Sequence, residues 1–119
     1  MPKKTETSSD DTPLTPAVFH ILLALADGPL HGYGIMQSVK RTANLEMGPG
    51  TIYGSIQRME DANLLYEVAA AALDDAGDKR RRYYDLTTNG RESLENESGR
   101  VARLAELVRS KKLIPGGGA

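Results

Sequence analysis

The 119-residue chain contains no cysteine, no tryptophan and only two histidines. Without thiols it forms no disulfide and no thiolate metal site, and we expect it in a reducing, cytoplasmic compartment. His20 and His31 are too few and too isolated to indicate zinc. No apolar run has the length of a membrane span, and the N-terminus lacks the apolar stretch of a signal peptide. We therefore expect no metal or other cofactor and no contact with a membrane.

The charge is nearly balanced, with 15 basic and 16 acidic residues and a formal net charge of −1. This is not the overall charge of a typical nucleic-acid-binding protein, so any affinity for DNA must come from where the basic residues lie. The sequence also shows no paired carboxylates, no nucleophile beside a base and no phosphate loop. It therefore predicts that the protein is not an enzyme.

The N-terminal third begins with a polar segment and continues into an apolar helix. Residues 1–13 lack apolar periodicity and are predicted to be a disordered arm. Thr15 and Pro16 have the residue types of an N-cap and a first helical turn. The helix that follows is apolar on nearly every side, which indicates more than one buried face. We expect the second face, including Leu22, to contact a partner chain.

Two further helices are predicted, at residues 32–42 and from Pro49 to about residue 62, joined by a short turn. In the third helix Ile52, Ile56 and Met59 recur at i, i+4 and i+7 and form an apolar stripe. The same spacing places Thr51, Ser55 and Arg58 on a polar face beside it. This pair of helices fits a helix-turn-helix whose second member enters the DNA major groove. An ordinary amphipathic core helix is the alternative.

The next segment reads as a β-hairpin with a cationic loop. Residues 64–68 and 83–86 are predicted strands, with Tyr84 and Leu86 on one face of the second. The run of Ala residues at 69–72 fits a strand poorly. A basic run at residues 79–82 follows three acidic residues, and it is either a solvated face or a phosphate-binding element. Its place beside a helix-turn-helix favours phosphate binding.

A last helix is predicted from Thr88 to about residue 112. Its apolar positions Leu94, Val101, Leu104 and Val108 have the spacing of a coiled-coil seam, which Glu97 interrupts. A helix of this length has too little of its own chain to cover one apolar stripe. Pairing with a second copy of the chain is the simplest cover, so we predict a homodimer.

Four motifs in this order resemble the PadR family of bacterial transcriptional regulators, in its small form with a single C-terminal helix. They are Leu30-His31-Gly32-Tyr33-Gly34-Ile35; Gly50-Thr51-Ile52-Tyr53; Arg58-Met59-Glu60 with Leu64-Leu65; and Arg82-Tyr83-Tyr84-Asp85-Leu86-Thr87 with Gly90. The resemblance implies a mainly α winged helix-turn-helix of three helices and a β-hairpin wing, with a C-terminal dimerisation helix. The expected parts are a disordered arm (1–13), a DNA-binding domain (14–87), the dimerisation helix (88–112) and a flexible tail (113–119).

The family's pattern also implies a function and a set of contact residues. Such proteins are mostly repressors that bind palindromic double-stranded operator DNA as homodimers. Tyr33 would contact the DNA backbone, Thr51, Tyr53, Ser55 and Arg58 would lie near DNA, and Lys79, Arg80 and Arg81 would form the wing tip. Thr51, Ser55, Gln57 or Arg58 would supply base readout.

Two further possibilities remain open from the sequence. Surplus apolar surface on the first and last helices suggests that a dimer holds a small-molecule effector between them. The alternative function is a winged-helix protein–protein interaction module that does not bind DNA, which the slight overall acidity favours.

Overall fold

A computed structural model describes residues 14–69 and 81–114. The elements in chain order are α1 (Pro16–Ala24) with a 3₁₀ turn (Leu25–Asp27), β1 (Leu30–His31), α2 (Gly32–Ala43), α3 (Pro49–Asp61), β2 (Leu65–Glu67), β3 (Tyr83–Leu86) and α4 (Thr88–Ser110). This order confirms the winged helix-turn-helix fold. The predicted arm, most of the Ala run at 69–72, Lys79, Arg80 and the end of the tail lie outside the described residues.

Side-chain caps fix where the helices begin. The hydroxyl of Thr15 accepts a hydrogen bond from the N–H of Val18 at 3.2 Å, with Pro16 in the first turn of α1, as predicted. Thr87 caps α4 by accepting from the N–H of Gly90 at 2.8 Å. Each cap satisfies a backbone donor that the helix itself cannot pair. The sequence therefore sets these helix starts locally.

One hydrophobic core joins all the helices and the sheet. The predicted α3 stripe of Ile52, Ile56 and Met59 is buried in it, beside residues of the other helices and of strands β2 and β3. The remaining core members are Ile21, Leu22, Leu25, Ile35, Val39, Met47, Leu65, Tyr84, Leu86 and Leu94. Burying each large aliphatic side chain contributes roughly 1.5–3 kcal/mol, so this cluster is the main stabilising feature.

Two residues that we predicted in the dimer contact belong to this core. Leu22 is 0% exposed and Leu94 is 5% exposed within a single chain. The periodicity correctly marked both as apolar-face residues, but their own chain already covers them. They have almost no surface left for a partner, so the dimer surface proposed below omits them.

The sheet has a third strand that the sequence did not predict. Its order is β1-β3-β2 and both pairings are antiparallel. Leu30 lies opposite Tyr84 and His31 opposite Tyr83, so the two-residue β1 extends the hairpin by one strand. Tyr84 and Leu86 are buried on one face of β3, as predicted. The added strand brings the start of α2 next to the base of the hairpin.

A hydrogen-bonded joint ties the end of α3 to the start of α4. Asn63, which follows the end of α3, has a positive φ of 62°, a left-handed conformation that Asn adopts more readily than most residues. Its carbonyl accepts from the hydroxyl of Thr87 at 2.7 Å and from the side-chain amide of Asn89 at 3.1 Å. The N–H of Thr87 donates to the carbonyl of Leu64 at 3.2 Å. The joint therefore fixes the direction of α4 relative to α3.

A buried carboxylate on α4 explains the break in its apolar spacing. The guanidinium of Arg100 donates to the two carboxylate oxygens of Glu97 at 3.0 and 2.5 Å. These hydrogen bonds lower the pKa of Glu97 below its ordinary 4.5, although burial opposes the shift, and the N–H of Leu14 adds to the lowering. Glu97 thus pairs with Arg100 on its own helix and lies beside the backbone of Leu14, just before α1.

We expect this carboxylate to make stability depend on acid pH. Because the pKa of Glu97 is lower in the folded chain, its contribution is complete above pH 4.5 and is lost as the pH falls through the folded value. Wild type should therefore lose more thermal stability than Glu97→Gln on going from pH 7 to pH 3. Thermal denaturation at a series of pH values measures this, and parallel curves for the two proteins would contradict it.

Candidate nucleic-acid interface

The outer face of α3 carries exposed polar and aromatic side chains opposite the core stripe. Thr51, Tyr53, Gln57 and Arg58 are all exposed there. Gly54 lies among them, and a Cβ at this position would meet only the guanidinium of Arg58. The absence of a side chain at Gly54 leaves a shallow depression at the centre of this face, and hydrogen-bonding side chains surround it. Such a surface can approach a DNA groove and form hydrogen bonds with the exposed edges of the bases.

Ser55 differs from its predicted place on that face. It is 4% exposed, and its hydroxyl accepts a hydrogen bond from the guanidinium of Arg58 at 3.2 Å. The reason is helical geometry, since Ser55 lies three residues after Ile52 and four before Met59 and so borders the buried stripe. Ser55 therefore orients Arg58 and does not present its own hydroxyl to a partner.

The start of α2 presents Tyr33 beside the α3 face. The ring is half exposed, and its hydroxyl oxygen accepts from the side-chain amide of Gln37 at 3.0 Å. The phenolic O–H of Tyr33 remains a donor toward a partner. Tyr53 lies directly over Gly32, because a Cβ on Gly32 would come within 2.5 Å of the Tyr53 ring and hydroxyl. The glycine thus lets α2 and α3 approach at this point.

The base of the hairpin places Arg81 and Arg82 beside the start of α2. Nη1 of Arg81 lies 2.8 Å from Nε2 of His31, which is the last residue of β1. The next residue, Arg82, lies 4.0 Å from the carboxylate of Glu67 on β2, with both side chains substantially exposed. Tyr83 meets the His31 ring edge-on, with ring centroids 5.2 Å apart.

These elements enclose a groove of about 520 Å³ that we call the wing-base groove. It is lined by His31, Gly32, Tyr33, Tyr53, Arg81 and Arg82. Arg81 and Arg82 contribute guanidinium groups, and Tyr33 and Tyr53 contribute phenolic hydroxyls. None of these six described residues is acidic. Such a set of guanidinium and hydroxyl donors is suited to a phosphate group.

The structure brings together several of the residues predicted from the sequence. Tyr33, Tyr53 and Arg81 line one groove, and Thr51, Gln57 and Arg58 lie on the adjoining α3 face. Lys79 and Arg80 lie outside the described residues. Sequence analysis gave no role to His31 or Gly32, and it considered Arg82 only as part of the basic run at residues 79–82. The one sequence signal for His31 is its place directly before a helix start, where a side-chain acceptor caps the helix.

The described residues offer little for other chemistry. Among them, no group of three or more His, Asp or Glu side chains could hold a metal ion. No helix in those residues is both long enough and apolar enough to cross a membrane. Burial, reinforced by the charge of Glu60, raises the pKa of Tyr84 above its ordinary 10, so this phenol stays protonated at neutral pH.

Replacing Gly32 with Ala should separate binding from stability. The added Cβ displaces only the end of the Tyr53 side chain, while Ala favours a helix, so we expect unfolding to change by less than about 1 kcal/mol. Moving Tyr53 should weaken DNA binding roughly tenfold, the effect of about 1.4 kcal/mol. Thermal denaturation and a DNA titration by fluorescence anisotropy measure the two quantities.

Gly34→Ala is the matched control in the same turn of α2. A Cβ there meets His31 and Leu30 only at ordinary distances of 3.5 Å. It should leave both stability and binding close to wild type. Equal DNA affinities for the two variants would show that the place of Tyr53 does not matter.

Comparison with known proteins identifies related sequences over most of the described chain. Residues 21–96 match the profile of the "Transcriptional regulator PadR-like family". An uncharacterized 37.1 kDa protein in transposon TN4556 of Streptomyces fradiae is 41% identical over 88 residues, 74% of this chain. Transcriptional regulator Rv3488 of Mycobacterium tuberculosis is 33% identical over 89 residues, 75% of this chain. The matched part spans 24% of the first relative and 78% of the second.

Solved structures share the fold. A PadR family transcription regulator from Clostridium difficile is 25% identical, with a TM-score of 0.65 over 81% of this chain and 97% of its own. Bacillus subtilis PadR, solved in complex with operator DNA, is 21% identical, with a TM-score of 0.55 over 72% of this chain and 48% of its own. At 21% identity, the similarity to Bacillus subtilis PadR shows that the two proteins share a fold.

Proposed function

This chain belongs to the PadR-like family of transcriptional regulators, and we propose that it is a repressor that binds a palindromic DNA operator as a homodimer. In this proposal residues 14–87 bind DNA and residues 88–112 join two copies. The observation that supports this proposal is that two candidate DNA-contact surfaces form one continuous surface. The exposed face of α3 adjoins the wing-base groove, which collects cationic and hydroxyl donors from three separate elements.

The α3 face would contact bases, and the wing-base groove would contact phosphates. The helix α3 would enter the major groove, where Thr51, Gln57 and Arg58 face the base edges. Tyr33, Tyr53 and Arg81 would contact phosphates on the flanking backbone, which positions α3 without reading sequence. Lys79 and Arg80 would extend this contact along the wing. Local placement of cations thus gives DNA affinity to a chain with a net charge of −1.

Dimerisation would use the second half of α4. Val101, Leu104 and Leu107 are 38%, 45% and 50% exposed there, and Val108 is partly exposed. Val101, Leu104 and Val108 retain the seam spacing, and Leu107 widens it. Large apolar side chains in a row on a projecting helix mark a contact surface for a matching helix. A two-fold pair would hold the α3 helices about 34–36 Å apart, one turn of DNA.

A small-molecule effector would act through the same dimer. Leu23 on α1 is exposed and adds to the apolar surface that the second copy would enclose with α4. An apolar molecule between the copies would change the spacing of the two α3 helices and so release the operator. This part of the proposal rests on the surplus of apolar surface.

Neutralising the wing cations should weaken binding and its dependence on salt. We expect the triple variant Lys79→Ala, Arg80→Ala, Arg81→Ala to lower the slope of log affinity against log salt by up to ~0.9 for each phosphate that the wing no longer neutralises. The change should be similar for all DNA sequences, because phosphate contacts carry no sequence information. Titrations at several salt concentrations measure the slope, and an unchanged slope and affinity would rule the wing out.

A gel shift with DNA from upstream of the chain's own gene, at two salt concentrations, tests the proposed function. We expect a discrete complex that competitor DNA of unrelated sequence does not displace. Binding to no DNA at either salt concentration, by a correctly folded dimer, would favour the protein–protein interaction module instead.

A further inference from the structure

Arg58 carries its positive charge back from the end of α3 to the middle of the helix. The residue lies in the last turn, and long side chains on a helix lean toward its N-terminus. Nη2 of Arg58 donates to the hydroxyl of Ser55 at 3.2 Å, and Nη1 lies 3.5 Å from where a Cβ at Gly54 would stand. The guanidinium therefore lies over the centre of the exposed α3 face.

Ser55 is the one polar residue among the buried residues of α3, a helix that the structure describes from end to end. It is 4% exposed, and burying a hydroxyl costs free energy unless the hydroxyl is hydrogen-bonded. Its hydrogen bond to Arg58 meets that need and restricts a long side chain that otherwise samples many rotamers. A side chain ordered in advance loses less conformational entropy when it binds a partner. Ser55 thus prepares Arg58 for a contact in one direction.

Ser55 orients Arg58 without neutralising its charge. Three other arginines of the described chain pair with carboxylates, namely Arg82, Arg100 and Arg109. In the residues that the structure describes, no carboxylate forms an ion pair with Arg58, and its hydrogen bond goes to a neutral hydroxyl. The guanidinium therefore keeps its charge, and the N–H groups that Ser55 does not use remain donors for a partner.

An oriented guanidinium matches guanine better than it matches the other bases. In the major groove guanine presents two acceptors, O6 and N7, whereas adenine presents an acceptor beside a donor. Thymine presents an acceptor beside its methyl group, and cytosine presents a donor. A guanidinium has donors only, in a planar fork that gives each guanine acceptor an N–H. Phosphates lie at the rims of the groove, but the Arg58 fork lies over the centre of α3, which favours contact with a base.

We propose that Arg58 determines part of the operator sequence by donating to O6 and N7 of a guanine in each half-site, with Ser55 as its positioning residue. The proposal rests on the proposed function, in which α3 enters the major groove. Each half-site then contains a guanine opposite Arg58, and the fork selects this base over the other three.

Selection from a random double-stranded DNA library identifies the bases that the protein reads. We expect wild type to enrich a guanine at one position of each half-site. Arg58→Ala should lower the preference for guanine there by roughly tenfold or more and leave the other positions unchanged. Arg58→Lys keeps the charge but has no fork, so it should keep the salt dependence and still lose most of this preference. Arg91→Ala, which removes an exposed arginine on α4, should select the same sequence as wild type.

Base analogues test the contact on the selected operator. Replacing the guanine by 7-deazaguanine removes the N7 acceptor and should weaken wild-type binding roughly tenfold, with no effect on the affinity of Arg58→Ala. Inosine is the matched control, because it lacks only the amino group that guanine presents in the minor groove. Wild type should bind the inosine operator almost as tightly as the guanine operator.

Ser55→Ala tests the positioning role. The variant keeps the helix and loses only the hydroxyl, so the melting temperature should stay close to that of wild type. The preference for guanine should fall roughly threefold, because the fork is no longer held in one direction. In the Arg58→Ala background the same substitution should leave DNA affinity unchanged, since Ser55 acts through Arg58.

The outcomes separate this proposal from the proposed function. If the folded protein enriches no sequence from the library, the proposed function fails and the contact with guanine fails with it. If a palindromic sequence is enriched but Arg58→Ala weakens binding to all sequences equally and Arg58→Lys restores it, the proposed function stands and the contact with guanine is overturned. Equal losses from Ser55→Ala with and without Arg58 would overturn the positioning role of Ser55.

Discussion

Gly90→Ala should destabilise the protein severely. A Cβ at Gly90 would lie only 1.8 Å from the backbone carbonyl oxygen of Leu64. Cβ atoms in proteins essentially never come closer than 3.0 Å to another heavy atom, so the two atoms would overlap. That carbonyl accepts the N–H of Thr87 and cannot rotate away without breaking the joint between α3 and α4. We expect a loss of about 3 kcal/mol or more, since relief requires backbone movement. Such a loss lowers the melting temperature by more than about 12 °C.

Gly99→Ala on the same helix is the matched control. A Cβ there meets only the end of the Arg103 side chain, at 3.4 Å. Because Ala favours a helix interior by about 1 kcal/mol over Gly, this variant should be slightly more stable than wild type. Thermal denaturation of the two variants side by side measures the contrast. Similar melting temperatures for both would show that the joint is not tightly packed.

Leu104→Glu should produce a large loss of function without unfolding the chain. Leu104 is 45% exposed in a single chain, so a glutamate there has water available and the fold should persist. In the proposed dimer the same carboxylate would be buried against the apolar seam of the second copy. We expect a monomer, and DNA binding weaker by roughly 100-fold or more, because the two half-sites are no longer bound by linked copies.

Ala102→Glu adds the same charge on another side of α4. Two residues along a helix correspond to a rotation of about 200°, so Ala102 faces away from Leu104. This control should remain dimeric by analytical ultracentrifugation and retain nearly wild-type DNA affinity. A dimer in Leu104→Glu, or a monomer in wild type at micromolar concentration, would show that α4 does not join the two copies.

The sequence was sufficient where local chemistry decides the structure. The i, i+4, i+7 spacing of Ile52, Ile56 and Met59 correctly gave the buried face of α3, because helical periodicity and burial are linked directly. Thr15 and Asn63 acted as the cap and the left-handed residue that their side chains favour. These features depend only on neighbours within a few residues.

The sequence was insufficient where contacts join distant segments. Strand β1 exists only because Leu30 and His31 pair with Tyr84 and Tyr83, more than 50 residues further on, and two residues carry no strand periodicity. His31 likewise meets Arg81 only in the folded chain. Periodicity marked Leu22 and Leu94 as apolar-face residues but could not say which chain covers them. Ser55 lay on the border between two stripes, where small rotations decide exposure.

A hydroxyl-radical footprint on the DNA upstream of the chain's own gene tests whether a dimer reads DNA with paired α3 helices. If two copies place these helices in successive major grooves, protection should appear as two patches whose centres lie about 10–10.5 base pairs apart. Both patches should disappear together in Leu104→Glu and persist in Ala102→Glu. A single patch that is equally strong in Leu104→Glu, or uniform cleavage at low salt with saturating dimer, would contradict this mode of binding.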